Sequence, residues 1–171
     1  MEYKDKNVVS KGNAEEYIYG GWFLSATDAS RLETTARELL DDVVASIGDK
    51  IVAECGHLTH TFCLKNPAKQ AEVQQFLASA PAERTIDLVG LAYKTWEEDG
   101  KNHFISAFVP KAGLPDLSTN SHPHITALRL GTTSPVLSNN MLGSEDHEFI
   151  PLTEILSLTF HAGAVLMTKK A

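Results

Sequence analysis

Two β-prone runs near the middle of the chain constrain its fold more than any other feature. They read IDLVGLAYK (86–94) and HFISAFVP (103–110), and TWEEDGKN separates them. Asp-Gly is a frequent pair in the tight turns between antiparallel strands, because such turns need residues that tolerate a positive φ. We therefore expect an antiparallel hairpin that turns near Asp99-Gly100.

A long amphipathic helix is predicted before this hairpin. Ser25, with Asp28 three residues later, has the pattern of a capping box, and Gly48 is typical of a helix end. Between them an apolar stripe recurs with helical spacing, at Leu32, Ala36, Leu39, Leu40, Val43, Val44 and Ile47. We expect one helix across the whole stretch.

Shorter elements are predicted elsewhere. Gly21–Leu24 is β-prone, and a short helix is expected around Ala71–Ala78, after Pro67. HPHITALRL (122–130) predicts a strand, and ILSLTFHAGAVLMT (155–168) predicts a final strand or a bent pair. KAGLPDLSTNS and TSPVLSNNMLGSEDHEF are rich in Gly, Pro, Asp, Asn and Ser, which predicts loops.

The composition suits one globular domain. The chain has 171 residues, of which 43% are hydrophobic, and no linker divides it. Residues 1–16 are charged and lack an apolar core, so we expect a flexible tail rather than a signal peptide, followed by one domain over 17–171. No apolar run reaches about 18 residues, so no membrane span is expected.

The formal net charge is −7. An acidic chain is a poor candidate for coating long nucleic acid, because such binding depends on Lys and Arg releasing counterions from many phosphates. The charge is compatible with a pocket that binds one nucleotide or one RNA end, since a few side chains are enough to bind such a ligand. A monomer is expected, with no cofactor.

The densest cluster of reactive side chains is ECGHLTHTFCL (54–64), which holds both cysteines of the chain. A zinc site is disfavoured, because His57 and His60 on one strand would point to opposite faces. A nucleophilic cysteine is also disfavoured, since nothing beside Cys55 would lower its pKa. Cys55 and Cys63 lie too far apart along one strand to form a disulfide. Reduced thiols indicate a cytoplasmic protein.

The same stretch contains one of two similar motifs. His57-Leu58-Thr59 and His124-Ile125-Thr126 are both His-x-Thr on β-prone segments. Residues two apart on a strand share a face, so each motif presents an imidazole beside a hydroxyl. Two such strands across a groove could hold a phosphodiester: one histidine activates water, the other protonates the leaving oxygen, and the hydroxyls hold the non-bridging oxygens.

This pair of motifs resembles the 2H phosphoesterase superfamily, which is named for two His-x-Thr motifs. The segment HPHITALRLGTTSPVLSNNML is similar to the cyclic phosphodiesterase domain of fungal and plant tRNA ligases, where a His-x-Thr strand leads to a loop ending in Ser-Asn, here Ser138-Asn139. The resemblance implies an α+β, bilobal fold with a groove between two antiparallel sheets and helices outside. It also implies hydrolysis of 2′,3′-cyclic phosphates on RNA ends or nucleotides without a metal.

The resemblance assigns the catalytic roles to His57, Thr59, His124 and Thr126. One departure is His60, where the family usually has an apolar or small residue; we expect it on the core side. The residues that bind the substrate are less well defined by the sequence. Candidates for stacking on a base or for contacting phosphate, ribose or base are Tyr19, Trp22, Tyr93, Trp96, Lys94, Arg129 and Asn139.

Two alternatives stay open. The same chemistry could act on cyclic di- or oligonucleotide second messengers, as in some small viral 2H proteins, and the location would then be the host cytoplasm. The chain could instead bind a nucleotide without turnover. Two intact motifs argue against a pure binder, which does not need both histidines and both threonines.

Overall fold

The structure, a computed structural model, describes residues 2–10 and 16–167. Within these ranges the chain is α+β, as the sequence predicts. The elements in chain order are β1 (Val8–Val9), β2 (Tyr17–Phe23), α1 (Ala26–Leu39), α2 (Asp41–Ile47), β3 (Ile51–Ala53), β4 (His57–Phe62), α3 (Pro67–Ser79), β5 (Glu83–Glu98), β6 (Lys101–Pro110), β7 (Ile125–Leu130), α4 (Leu137–Gly143) and β8 (Glu148–Leu166). None of these helices is long and apolar enough to cross a membrane.

The predicted central hairpin is confirmed, with strands longer than expected. Glu98 of β5 pairs with Lys101 of β6, so the turn consists of Asp99 and Gly100. Their φ angles are 52° and 75°. Positive φ at both central residues is the requirement of a type I′ turn, which explains why Asp-Gly occupies it.

The predicted long helix is two helices. It begins as expected, with the Ser25 hydroxyl accepting from the Asp28 backbone N–H at 3.2 Å. At Leu40 the backbone leaves helical geometry, with φ −114° and ψ 30°, and α2 restarts at Asp41. The buried residues of α1 are Ala29, Leu32 and Ala36. Burial of a leucine such as Leu32 contributes about 1.5–3 kcal/mol to stability.

Two further helices differ from the sequence prediction. α3 begins at Pro67, not near Ala71, because the Asn66 side chain caps the helix by accepting from the Lys69 N–H at 3.1 Å. α4 lies inside the segment predicted to be a loop. Asn and Ser are weak helix formers, so burial of Met141 and of the polar Ser138 decides the local structure there.

The N-terminal segment, residues 2–10, lies against the sheet. Val8 and Val9 of β1 pair with Val165 and Ala164 of β8. Before them, the Ala26 N–H donates to the Glu2 carbonyl at 2.9 Å. The sequence predicted a flexible tail over residues 1–16; in the structure, residues of 2–10 make backbone pairs with the sheet, while residues 1 and 11–15 lie outside the described ranges. The charged local sequence does not indicate this pairing.

The strands form one eight-stranded sheet with the order β3-β7-β6-β5-β8-β2-β4, and β1 pairs with β8 beside this path. All the strand pairs are antiparallel. Hydrogen bonds thus join the strands into a single sheet, whereas the resemblance implied two. The register of β5 against β8 shifts between Leu88, opposite Leu156, and Gly90, opposite Pro151. This irregularity divides the two longest strands into two halves.

The two ends of the sheet come together through the segment that connects β3 to β4. Ala53 pairs with Leu128 of β7, and the Cys55 N–H donates to the Thr126 carbonyl at 2.8 Å. One residue later, the Gly56 carbonyl accepts from the Leu24 N–H at 2.9 Å, beyond the end of β2. The segment between β3 and β4 therefore runs from the edge of β7 to the end of β2, and this course places β4 beside β7.

Candidate active site

A groove of about 350 Å³ lies where β4 approaches β7, and all four motif residues line it: His57, Thr59, His124 and Thr126. The sequence predicted that the two motifs face one groove, and the structure brings them together. Larger cavities lie elsewhere on the described part of the chain, and residues of both motifs line none of these.

A bulge in β4 separates the groove residues from His60. Thr59 pairs with Gly21 and Thr61 pairs with Gly20, so His60 is the extra residue. The His60 ring stacks on Phe76 with centroids 4.3 Å apart, and its Nδ1 lies 2.8 Å from the Thr61 hydroxyl. Burial lowers the pKa of His60. His60 is thus on the side away from the groove, as predicted.

His124 is fixed by the loop that precedes it. Its Nδ1 lies 2.7 Å from the carbonyl oxygen of His122, and a carbonyl can only accept, so Nδ1 carries the proton. Burial is the main cause that lowers the pKa of His124; the charge of His57 acts in the same direction, and the His122 carbonyl opposes it. The ring is therefore neutral near pH 7, with its lone pair on Nε2.

His57 has a carboxylate partner that the sequence analysis did not identify. Its Nδ1 lies 2.5 Å from Oδ2 of Asp5, in the N-terminal segment. The Tyr19 hydroxyl lies 3.2 Å from the same Nδ1 and donates to the same Asp5 oxygen at 3.3 Å. Burial, followed by the Asp5 carboxylate, raises the pKa of Tyr19 well above its usual range, so this hydroxyl keeps its proton.

Thr126 is paired with a buried hydroxyl. Its Oγ1 lies 2.9 Å from Oγ of Ser138 on α4, and Ser138 is fully buried. Either hydroxyl can donate. If Ser138 donates, the proton of Thr126 is free for an oxygen in the groove. Ser138 belongs to the Ser-Asn pair that the resemblance singled out.

The remaining lining gives the groove an apolar wall and a polar corner. Phe62 and Val136 are 59% and 73% exposed, and both line the groove. Exposed apolar side chains mark a binding site where they adjoin one another in a groove rather than where they occur singly. Asn139 also lines the groove, and its buried Oδ1 has no hydrogen-bond partner in the described part of the chain. A ligand donor would satisfy this acceptor.

Of the predicted substrate-binding residues, the structure places Tyr19 and Asn139 at the groove and the others elsewhere. Trp22 is 1% exposed, and its indole N–H donates to the Leu117 carbonyl at 3.0 Å. It is a core residue, so it cannot stack on a base. Tyr93 on β5 is half-buried against the main core.

Both predicted basic residues are engaged in ion pairs. Lys94 Nζ lies 3.3 Å from Asp146 and 5.3 Å from the centre of the Trp96 ring. Arg129 lies 2.9 Å from the carboxylate of Glu54, which lines the groove. No Lys or Arg contributes to the lining of the groove among the described residues.

The two cysteines are buried, and burial raises the pKa of Cys55 to about 12 and that of Cys63 to about 11. Such thiols are protonated and poorly nucleophilic. The described ranges contain no group of three or more His, Cys, Asp or Glu side chains arranged to hold a metal ion.

No known family model matches this chain, and no curated protein matches it either. The chemistry of the groove therefore rests on its own geometry. Each histidine has Nδ1 engaged by a protein oxygen, which leaves its Nε2 available. Two such rings beside two hydroxyls can take up one proton and deliver another at a single bound atom.

Proposed function

We propose that this chain is a metal-independent phosphodiesterase that hydrolyses 2′,3′-cyclic phosphates of RNA ends or nucleotides. The observation that carries the proposal is the pair of histidines in one groove, each with Nδ1 held by an oxygen acceptor and each beside a threonine. One ring serves each of the two proton transfers that hydrolysis of a phosphodiester needs.

The surroundings of the two rings assign different roles to them. His124 is neutral near pH 7 with its lone pair on Nε2, so it acts as the general base that removes a proton from water. His57 has Asp5 as an ionic partner when the ring is protonated, so it acts as the general acid. Water oxygen bonds to phosphorus, the ring P–O bond breaks, and His57 Nε2–H protonates the leaving ribose oxygen.

The threonine hydroxyls stabilise the negative charge that develops on the non-bridging oxygens of the phosphate. Thr59 and Thr126 donate to the non-bridging oxygens, which requires that Ser138, whose Oγ lies 2.9 Å from Thr126 Oγ1, be the donor between these two hydroxyls. A groove without Lys or Arg in its described lining suits one singly charged phosphodiester better than an extended polyphosphate.

The volume and walls of the groove favour one nucleotide. About 350 Å³ is near the lower end of the range of roughly 300–1,000 Å³ for ligand sites. Phe62 and Val136 provide an apolar surface for a base, and the Oδ1 of Asn139 provides an acceptor for an amino or hydroxyl group. These residues replace Trp22, Tyr93 and Lys94 as the proposed contacts.

The proposed function includes the remaining predictions made from the sequence, on family, fold, location and partners. The chain would be a 2H phosphoesterase, and the two halves of the sheet, divided at Leu88 and Gly90, would be its two lobes. The protein would work in the cytoplasm as a monomer, with an RNA end or a nucleotide as its partner and no cofactor.

The test is incubation of the purified protein with 2′,3′-cyclic mononucleotides, RNA with a cyclic phosphate end, and cyclic dinucleotides, with products separated by chromatography. We expect conversion of the first two substrates to phosphomonoesters, with 2′-phosphates as the products. Turnover of cyclic dinucleotides alone would move the substrate to second messengers. Binding without turnover of any of them would contradict the enzymatic proposal.

A further inference from the structure

The N-terminal segment contributes a carboxylate to the groove from outside both motifs. Asp5 Oδ2 lies 2.5 Å from His57 Nδ1, although 52 positions separate the two residues in the chain. The Asp5 side chain is 18% exposed and that of His57 is 25% exposed. The contact is therefore largely shielded from solvent, unlike an ion pair between two freely hydrated side chains.

The backbone on both sides of Asp5 holds the carboxylate in place. The Lys4 N–H donates to the Leu24 carbonyl at 3.3 Å, and the Asn7 carbonyl accepts from the Leu166 N–H at 3.1 Å. Tyr3 packs edge-on against Phe23, with ring centres 6.2 Å apart. Asp5 thus lies between two points at which the segment is attached to the body of the protein.

Gly56, directly before the first motif, makes room for this carboxylate. A Cβ at Gly56 would lie 2.4 Å from Asp5 Oδ1 and 2.8 Å from its Cγ. No side chain can occupy position 56 without displacing the carboxylate. The absence of a side chain at position 56 therefore leaves space for the Asp5 carboxylate beside His57.

We propose that Asp5 is a positioning residue for His57. The Asp5 carboxylate accepts the Nδ1–H of His57 and so directs Nε2 into the groove, and Tyr19 holds the carboxylate by a second hydrogen bond. This inference deepens the proposed function and rests on it for its effect on turnover. The contact between Asp5 and His57 can be tested without any substrate. A third group that orients a catalytic imidazole is a recurrent feature of enzymes that depend on a proton carrier.

The first measurement needs no substrate. Histidine ring nitrogens are observed by ¹⁵N NMR in a titration to alkaline pH, continued until the ring signals stop changing, and His57→Gln identifies the His57 signals. We expect His57 in the Nδ1–H tautomer in the wild type and a shift towards Nε2–H in Asp5→Asn. A carboxamide can also accept, but it has lost the charge that favours this tautomer.

Gly56→Ala tests the same contact without changing Asp5. The new methyl group should displace the carboxylate and shift the tautomer as Asp5→Asn does. Gly131→Ala is the matched control, because a Cβ there meets its nearest atoms only at 3.5 Å, an ordinary contact. Glu2→Gln removes an exposed charge from the same segment and should leave the tautomer unchanged.

The second measurement is turnover of a 2′,3′-cyclic nucleotide. Asp5→Asn and Gly56→Ala should each lower kcat about tenfold to a hundredfold, by analogy with the range for carboxylates that orient metal-ligating histidines. KM should change less than twofold, and Asp5→Glu should recover part of the loss. The double variant should be no worse than the poorer single variant, since both changes break one contact.

An unchanged His57 tautomer in both Asp5→Asn and Gly56→Ala would overturn the proposal, whatever happens to kcat. A shifted tautomer with unchanged kcat would overturn the positioning role. If the wild type hydrolyses no cyclic phosphate, the proposed function fails, while the tautomer still decides whether Asp5 holds His57.

Discussion

Nδ1 of His124 lies 2.7 Å from the carbonyl oxygen of His122, two residues earlier in the chain. Because the acceptor belongs to the backbone, this contact fixes the ring without adding a negative charge. The corresponding nitrogen of His57 faces the carboxylate of Asp5 instead. The two histidines of similar motifs therefore differ in the charge beside them, and the different roles proposed for them rest on this difference.

The lowered pKa of His124 predicts a dependence of stability on pH. A histidine whose pKa is lower in the folded state binds fewer protons there than in the unfolded chain. The free energy of unfolding should therefore decrease as pH falls below about 6.5, the ordinary pKa, until the folded-state pKa is passed. Urea unfolding at several pH values should show this decrease, and His124→Gln should reduce it.

His60 should contribute in the same direction, because burial lowers its pKa too. His60→Gln therefore serves as a parallel variant outside the groove, and the double variant should show the flattest profile. An identical pH dependence in wild type and His124→Gln would contradict the description of His124 as a partly buried neutral ring.

Replacing either motif histidine should nearly abolish turnover. His57→Gln and His124→Gln are each expected to lower kcat/KM by about 10² to 10⁴, the usual contribution of a general acid or base. Circular dichroism should show an unchanged fold, because both side chains line an open groove. His147→Gln is the control, since His147 lies away from the groove and contacts the Ser144 carbonyl. Near-normal turnover in either motif variant would rule out the two-histidine mechanism.

The threonines should affect kcat more than KM. Thr59→Val and Thr126→Val keep the β-branched shape that suits a strand but remove the donor to the phosphate oxygens. Ser138→Ala should lower kcat in the same way but less strongly, because Ser138 acts through Thr126. Steady-state kinetics separates the two parameters. An unchanged kcat in both valine variants would show that these hydroxyls only support packing.

The apolar wall should control affinity for the base. Phe62→Ala is expected to raise KM for a cyclic nucleotide by about 5- to 150-fold, equivalent to the roughly 1–3 kcal/mol of one base stacked on an aromatic ring. Ile155→Ala is the matched control: Ile155 on β8 is 55% exposed, similar to the 59% of Phe62, but does not line the groove. Equal effects of the two substitutions would argue against a base-binding role for Phe62.

Chelators should not affect turnover. His57 and His60 face different sides of β4, so the Cys and His residues of the 54–64 segment cannot converge on one ion. Activity of the purified protein should be the same with and without EDTA. Activity that EDTA removes and zinc restores, together with stoichiometric zinc in the protein, would contradict this prediction.

Local sequence patterns determined several elements of the fold correctly. The Asp99-Gly100 turn and the cap at Ser25 follow from the conformational preferences of single residues, so a short window of sequence suffices to predict them. The alternation of side chains along a strand also predicted that His57 and Thr59 share a face. The pairing of the two motifs in one groove was predicted from their likeness to each other.

Only the tertiary structure decided the partners of these residues. Asp5 reaches His57 because β1 pairs with the end of β8, and no local pattern in residues 2–10 indicates that pairing. Trp22 is aromatic and lies on a strand, as expected of a base-stacking residue, but the elements packed against β2 bury it. Long-range contacts depend on which segments of the chain pack against each other. The properties of residues adjacent in sequence do not determine that packing.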